Sequence, residues 1–295
     1  QHRFGVHQRM ALQHKGAYPH QLVMTATPIP RTLTMTLYAD MDVSVIDELP
    51  KGRQPITTHT AAQPKRPELI ERLRKILAQG QQAYWVCTLI EPSEEIEALS
   101  AEEAFDLLRR NLPESRVALL HGRMKGDEKV EVMRAFKAGE YQLLVATTVV
   151  EVGVDVPNAT QMFIENAERL GLAQLHQLRG RVGRGSKASR CFLLFKPGVS
   201  QAGQRRLNAL RQSQDGFYLA EQDLKLRGPG DILGTRQSGE QSFKIADLSE
   251  HAHLMPRVVQ RCETMMNAAP TSDDGIYLTG LLNTWAASDN AHLSV

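Results

Sequence analysis

The chain has 295 residues, 42% of them hydrophobic and 23% charged, a composition that suits two ordinary domains and excludes a disordered polyampholyte. Its 35 Lys and Arg nearly balance 33 Asp and Glu, so an attraction for nucleic acid must come from a local basic site. The 3 cysteines form no C-x-x-C pair, which indicates reduced structural thiols in a cytosol. No apolar run approaches the roughly 18 residues of a membrane-spanning helix.

Short apolar strands alternate with helical segments of period 3.6, a pattern typical of a parallel sheet built from βαβ units. A helix is predicted over 67–80, and another over 127–138 with Val130 facing the core and Gly139 ending it. The remaining predictions are strands at 21–27, 83–90, 116–120, 142–146, 161–165 and 191–195, an acidic helix at 91–106, a helix at about 171–182 and a mainly helical stretch at 200–226. Residues 49–55, rich in Pro, Gly and basic side chains, are typical of a hinge between lobes.

The sharpest motif is Gln-Leu-Arg-Gly-Arg-Val-Gly-Arg at 177–184, which we call the basic motif. It opens a stretch with no acid, whose cations are Arg179, Arg181, Arg184, Lys187 and Arg190. This density predicts a polyanionic ligand, because a guanidinium stays charged and grips phosphate oxygens in a fixed fork. The alternative is a solvated basic helix end, which Gly180 and Gly183 disfavour because each would cost about 1 kcal/mol inside a helix.

After a β/α alternation, the basic motif resembles motif VI of superfamily-two helicases, whose motor is a pair of RecA-like lobes with ATP in the cleft between them. The resemblance implies that Gln177, Arg181 and Arg184 face the nucleotide, with one or both arginines acting as arginine fingers. It also implies an α/β fold of the RecA-like P-loop NTPase class, in which helices flank a parallel sheet and a mainly helical region follows.

Three other segments resemble motifs of these helicases in the family's order: 25–32 motif III, 119–124 motif IV and 145–155 motif V. The DNA-contacting or coupling residues that the resemblance implies are Thr25, Thr27, Arg31, His121, Gly122, Thr147 and Thr148, and the nucleotide contacts are Gly153 and Asp155. Structural alternatives stay open. The threonines at 25 and 27 could satisfy a strand end, His121 could be structural, and Asp155 could cap the turn before Pro157.

Residues 25–35, 44–53 and 223–239 resemble a narrower group, the bacterial RecG family, whose members act on branched DNA in fork reversal and Holliday-junction processing. In that family a helical hairpin and loop called TRG convert lobe closure into movement along duplex DNA, and Arg206, Arg236 and Gln237 occupy matching positions. The resemblance implies ATP and Mg²⁺ as cofactors and branched or duplex DNA as partner. It implies a monomer in the bacterial cytoplasm, associated with the nucleoid, and leaves open a single-strand-binding protein as a further partner.

The resemblance also divides the chain into a remnant of the first helicase lobe with the linker (1–50), a second RecA-like lobe (51–196) and a TRG region (197–295).

The chain contains no Gly-Lys dipeptide, so the phosphate-binding loop G-x-x-x-x-G-K-[ST] that such a motor needs is missing from it. Residues 1–5 resemble the sequence just after the catalytic acids of motif II, so we expect a fragment that is inactive alone. Asp47 and Glu48 resemble a metal-binding pair of acids. They come after motif III in the sequence, however, whereas the metal-binding acids of the family come before it.

Two rival hypotheses stay open. The transcription-repair coupling translocase Mfd shares motifs III to VI and TRG, although the amino-acid sequence at 234–239 favours RecG. An ATPase-inactive nucleic-acid-binding module would explain the missing phosphate-binding loop. A dinucleotide-binding enzyme is disfavoured, because no G-x-G-x-x-G follows a predicted strand.

Overall fold

The computed structural model describes residues 20, 22, 24, 44–46, 48, 53–88, 94–148, 155–227 and 251–285. Residues from 53 to 226 lie in one compact unit, which holds the sheet, and residues 251–285 lie in another. The domain boundaries at residues 50 and 196 stay predictions, although helices after residue 196 belong to the first unit. No helix among the described residues is long and apolar enough to cross a membrane.

A parallel sheet of six strands forms the centre of the first unit. Its strands are β1 (Ile56–Ala62), β2 (Gln82–Val86), β3 (Val117–Leu120), β4 (Leu143–Ala146), β5 (Ala159–Ile164) and β6 (Ser189–Phe195). They lie in the order β1-β6-β5-β2-β4-β3. Because every pair is parallel, all the amino ends share one edge of the sheet and all the carboxyl ends share the other; we call these the amino edge and the carboxyl edge.

Helices cover both faces of the sheet, so the central strands are buried on both sides, as parallel strands usually are. The described helices are α1 (Arg66–Ala78), α2 (Glu94–Asn111), α3 (Gly126–Lys137), α4 (Leu172–Arg179), α5 (Gln201–Gln212), α6 (Gly216–Arg227), α7 (Met255–Met266) and α8 (Asp273–Trp285). Side chains of α1 and α2 form the core on one face, and side chains of α3 to α6 form it on the other. Tyr84 and Trp85, successive residues of β2, each pack into one of these cores.

The structure confirms the α/β architecture and places the predicted elements between 67 and 226 close to their expected positions, although the strand predicted to reach residue 90 ends at Val86. Val130 was expected in the core and is 69% exposed, so that prediction is wrong. The buried face of α3 carries Val132, Met133 and Phe136, and Val130 lies to one side of it. β1 has no counterpart in the predictions, since its sequence Ile-Thr-Thr-His-Thr-Ala-Ala is largely polar.

The three cysteines are free thiols: Cys87 and Cys191 are buried, and Cys262 on α7 is exposed. Burial raises the pKa of Cys87 well above its ordinary value, and the nearby Glu165 carboxylate raises it further. Burial also raises the pKa of Cys191, to about 12. Both buried thiols therefore act as small apolar side chains.

Candidate nucleotide and nucleic-acid sites

The basic motif leaves α4 at the amino edge of the sheet, and two glycines allow it to lie against the start of two strands. Gly183 has a φ of 73°, and a Cβ at that position would lie 2.7 Å from Cγ1 of Ile56, the first residue of β1. A Cβ on Gly185 would lie 2.6 Å from the carbonyl oxygen of Pro157, shortly before β5. A side chain at Gly183, within the basic motif, or at Gly185, just after it, would therefore push this segment away from the sheet.

Arg53, within the predicted hinge, also contacts this segment. Its Nε donates a hydrogen bond to the carbonyl of Gly183 at 3.1 Å, and its Nη2 donates to the carbonyl of Gly180 at 3.4 Å. The end of the hinge therefore contacts the backbone of the basic motif directly.

Arg184 and Asp155, both predicted to face the nucleotide, meet at this edge. Arg184 Nη1 lies 3.5 Å from Asp155 Oδ1, and Arg184 Nε donates to the carbonyl of Gly180 at 3.2 Å. The two side chains are 31% and 58% exposed, so solvent screens the pair and it adds little to stability. The ion pair does hold the Arg184 guanidinium in a defined place at the surface. A phosphate that binds there could replace the Asp155 carboxylate as its partner.

Arg181, like Arg184 and Asp155, lies close enough to Tyr84 to affect the pKa of its phenol. Burial raises the pKa of Tyr84 to about 12, the guanidiniums of Arg181 and Arg184 lower it, and the Asp155 carboxylate raises it. The four groups are thus close enough for a charge on one to act on the others, and the phenol stays neutral at physiological pH. Gln177 lies half-buried on α4, just before this group.

Arg179 belongs to the stretch whose density of cations predicts a polyanionic ligand, but it is only 2% exposed. Its Nη1 donates to the carbonyl oxygens of Leu210 at 2.7 Å and Ser213 at 2.8 Å, where α5 ends, and to the hydroxyl of Thr58 at 3.4 Å. Helix ends leave carbonyls without partners, and a cation satisfies them well. Arg179 therefore joins α4 to α5 and β1 and is not available to a ligand.

His176 is the fourth partner of Arg179, with Nδ1 3.0 Å from Arg179 Nη2. Arginine can only donate, so Nδ1 accepts and the proton of the neutral ring sits on Nε2. Burial lowers the pKa of His176 to about 4; the charges of Arg179 and Arg53 lower it as well, while Asp215 raises it. The ring is therefore neutral at physiological pH.

His121 and Thr147, predicted to meet DNA, lie together at the carboxyl edge. His121 follows β3 and Thr147 follows β4, and the backbone N–H of Thr147 donates to the carbonyl of Leu120 at 3.1 Å. His121 Nε2 lies 3.8 Å from Glu102 Oε1. Among the described residues, His121 Nδ1 and Thr147 Oγ1 have no hydrogen-bond partner although both atoms are buried. Two unsatisfied polar atoms on neighbouring strands are what a site for a polar ligand would show.

The other predicted contacts near this edge are less distinctive. Thr148 is half-buried directly after Thr147. The carbonyl of Gly122 accepts a hydrogen bond from Lys129 Nζ. Arg206 on α5 donates from Nη2 to the carbonyl of Glu168 at 2.7 Å, so it links the helical region to the turn after β5.

Several predicted site residues lie outside the described part of the chain: Thr25, Thr27, Arg31, Gly153, Arg236 and Gln237, together with Asp47 of the acidic pair. Within the described part, no group of three His, Cys, Asp or Glu side chains is placed to hold a metal ion.

One polar network at the carboxyl edge has no counterpart in the predictions. The buried Glu165, directly after β5, accepts a hydrogen bond from Trp85 Nε1 at 2.7 Å and forms an ion pair with Arg66, the first residue of α1. The hydroxyl of Thr88 donates to the carbonyl of Glu165 at 2.6 Å. Asn166 follows with a φ of 47°, which is uncommon for a residue other than glycine. The network joins the ends of β2 and β5 to the start of α1.

Two family models match the chain. Residues 68–186 match the helicase conserved C-terminal domain. Residues 213–278 match the model described as ATP-dependent DNA helicase RecG, domain 3, C-terminal. The first match covers most of the sheet and the basic motif, and the second covers α6 to α8 apart from the end of α8.

Proteins named ATP-dependent DNA helicase RecG are similar to most of the chain. The protein of Escherichia coli strain K12 is 60% identical over 263 residues, which are 88% of this chain and 38% of that protein. The protein of Bacillus subtilis strain 168 is 50% identical over 249 residues, 84% of this chain and 36% of that protein. This chain belongs with the C-terminal part of bacterial RecG. It spans about two fifths of the length of these RecG proteins.

A solved structure agrees with this assignment. RecG bound to a three-way DNA junction has a TM-score of 0.66 and 44% identity to this chain, and the match covers 86% of this chain and 32% of that one. The fold is therefore that of the RecA-like helicase C-terminal lobe of RecG, followed by a helical region.

Proposed function

We propose that this chain is the second motor lobe and coupling region of an ATP-dependent DNA helicase that acts on branched DNA, in fork reversal and Holliday-junction processing during recombination and repair. The observation that carries the proposal is the presence of two chemically distinct sites at opposite edges of one sheet. An arginine pair lies at the amino edge, and unsatisfied polar atoms of His121 and Thr147 lie at the carboxyl edge. The identity to RecG proteins and the likeness to a RecG bound to a three-way DNA junction support the same function.

ATP is the substrate that the amino edge fits. Arg181 and Arg184 would stabilise the charge that develops on the γ-phosphoryl group, with Gln177 beside them, and an arginine finger is worth about 10³ to 10⁵ in rate. Asp155 would hold Arg184 until a phosphate takes the place of its carboxylate. Mg²⁺ would accompany the phosphates, and its ligands would come from the first lobe together with the phosphate-binding loop that this chain lacks.

DNA would lie along the carboxyl edge, against His121, Gly122, Thr147 and Thr148. Thr147 lies at the carboxyl edge directly after β4, and Asp155 lies at the amino edge before β5. Residues close together in sequence therefore belong to both proposed sites, which is the arrangement that coupling between ATP turnover and DNA movement needs. Thr25, Thr27, Arg31, Arg206, Arg236 and Gln237 complete the proposed coupling set.

The match of residues 213–278 to a RecG domain favours this function over that of the related coupling translocase Mfd. We further propose that the protein acts as a monomer in the bacterial cytoplasm, associated with the nucleoid, with single-strand-binding protein as an additional partner. Sedimentation with and without that protein tests the oligomeric state and the partner.

A chimera tests the central proposal. In it, this chain replaces the matched segment of the E. coli K12 RecG protein, and the unaltered E. coli protein serves as control. We expect ATP turnover that depends on forked DNA, together with unwinding of the fork. A folded chimera without DNA-stimulated turnover would contradict the proposal. Unstimulated turnover by the 295-residue chain alone, abolished by Arg184→Ala, would show that the chain holds a complete ATP site.

A further inference from the structure

Five buried side-chain atoms of the described residues lie at the carboxyl edge without a hydrogen-bond partner. Glu168 Oε2 and Arg206 Nε belong to two residues that bond to each other, and the remaining three atoms are His121 Nδ1, Thr147 Oγ1 and Arg66 Nε. Leaving a buried polar group without a hydrogen-bond partner is energetically unfavourable. All three atoms can donate a hydrogen bond, and anionic oxygens are the acceptors that would satisfy them together. Arg66 is not among the residues that the helicase resemblance assigns to DNA.

The sheet order places these residues along one edge, with the end of β2, which contributes none of them, between Thr147 and Glu165. β3, β4, β2 and β5 are successive neighbours, with His121 after β3, Thr147 after β4 and Glu165, the partner of Arg66, after β5. Three steps between neighbouring strands, each of about 4.8 Å, give a row roughly 14 Å long. That length exceeds a single phosphate group and suits the backbone of a nucleic-acid strand, which carries one charge about every 3.4 Å of helix axis.

Glu165 orients Arg66 without using up its donors. The Glu165 side chain is 7% exposed and is fixed by Trp85, whereas the Arg66 side chain keeps 28% exposure and so reaches the surface. The ion pair engages Nη2 of Arg66, and a guanidinium has five N–H donors. An arginine held by a buried carboxylate, with donors left over, loses little conformational freedom when it binds a phosphate.

We propose that Arg66 is a further DNA-phosphate contact, oriented by Glu165, and that it extends the nucleic-acid site from the ends of β3 and β4 to the end of β5. This inference rests on the proposed function and adds a residue to its DNA site. The phosphates of ATP are the other source of anionic oxygens. They belong at the opposite edge, where Arg184 lies.

DNA binding by the 295-residue chain tests the inference. Anisotropy of a labelled fork is measured at several salt concentrations for wild type, Arg66→Gln, the double variant Arg66→Gln/Glu165→Gln and the control Arg74→Gln. Arg74 also lies on α1 and also pairs with a glutamate, Glu71, but it is exposed. The double variant leaves no unpaired buried carboxylate, so it separates the loss of a DNA contact from a folding defect.

We expect both Arg66 variants to bind the fork about tenfold more weakly and to reduce the salt slope by about one phosphate contact, while Arg74→Gln binds like wild type. Wild-type affinity in the double variant would show that Arg66 acts only on the fold and would overturn the inference. Equal effects of Arg66→Gln and Arg74→Gln would overturn it as well. The inference would also be overturned if the Arg66 variants bound the fork like wild type but lost affinity for labelled ATP in a parallel titration. If wild type itself shows no salt-dependent DNA binding, the proposed function fails first.

Discussion

Arg179 Nη1 donates a hydrogen bond to the carbonyl oxygen of Leu210 at 2.7 Å, which ties the helix of the basic motif to the end of α5. The helix that leads into Arg181 and Arg184 and the first helix after the sheet are therefore joined by a buried side-chain contact. If nucleotide binding displaced the first helix, this contact would transmit the displacement to α5. This contact gives a physical route from the proposed ATP site into the helical region.

Arg179→Ala should destabilise the chain by about 3 kcal/mol, because it leaves the carbonyls of Leu210 and Ser213 buried without a donor. Arg211→Ala, on the same α5 but exposed, should change stability by less than about 0.5 kcal/mol. Urea unfolding at neutral pH measures both. Similar effects of the two substitutions would show that Arg179 does not hold the helices together.

His176→Gln should change how stability depends on pH. The pKa of His176 is about 4 in the folded chain against an ordinary value of 6.5, so between these values the unfolded state binds a proton that the folded state does not. Wild type should therefore lose stability relative to the variant as the pH falls from 7 towards 4. Urea unfolding of both proteins at pH 7 and pH 5 measures the difference. A constant difference would mean that His176 is not held neutral.

Gly183→Ala should disturb the basic motif, since the new Cβ would meet Ile56 at 2.7 Å and the residue would keep a φ of 73°. Gly198→Ala is the matched control, because Gly198 has a φ of 86° but open space around its Cβ position. Both variants bear the backbone cost, and only the first bears the steric one. We expect a clearly larger loss of thermal stability and of ATP turnover in the chimera for Gly183→Ala. Indistinguishable variants would mean that close packing on β1 is unimportant.

Arg184→Ala in the chimera should lower DNA-stimulated ATP turnover by about 10³-fold or more and leave fork binding nearly unchanged. Lys187→Ala removes a nearby exposed cation that contacts Asn158 at 3.4 Å, and it should retain turnover. Steady-state turnover and fork anisotropy together decide the outcome. If Arg184→Ala bound DNA poorly and turned over ATP normally, the residue would belong to the DNA site.

The fold was largely predictable because strands that are buried on both faces of the sheet have characteristic apolar sequences. Strands such as β4 are short apolar runs, and α1 keeps its apolar residues on one face between proline and glycine. β1 escaped prediction because an edge strand can be polar on its open side. Val130 was placed wrongly because its spacing of three from Met133 also fits the edge of a buried face, and the sequence does not show where that face ends around the helix.

The candidate sites were predictable only where a motif carries them. The basic motif led to Arg181 and Arg184, but charge alone could not show that Arg179, in the same motif, serves the carbonyls of α5. The pairing of Arg66 with Glu165 joins residues 99 positions apart, and no spacing in the sequence signals it. Contacts between segments that are distant in sequence can be identified only from the structure, whereas contacts within one segment can be predicted from its sequence.

The unequal burial of the cysteines makes the unaltered chain suitable for labelling at a single point. A thiol reacts as its thiolate, and Cys87 and Cys191 are protected both by burial and by raised pKa values. A maleimide dye should therefore attach to Cys262 on α7 without any engineered substitution. Paired with a second dye on a DNA arm, it would make the movement of the C-terminal helices visible in single-molecule energy-transfer recordings.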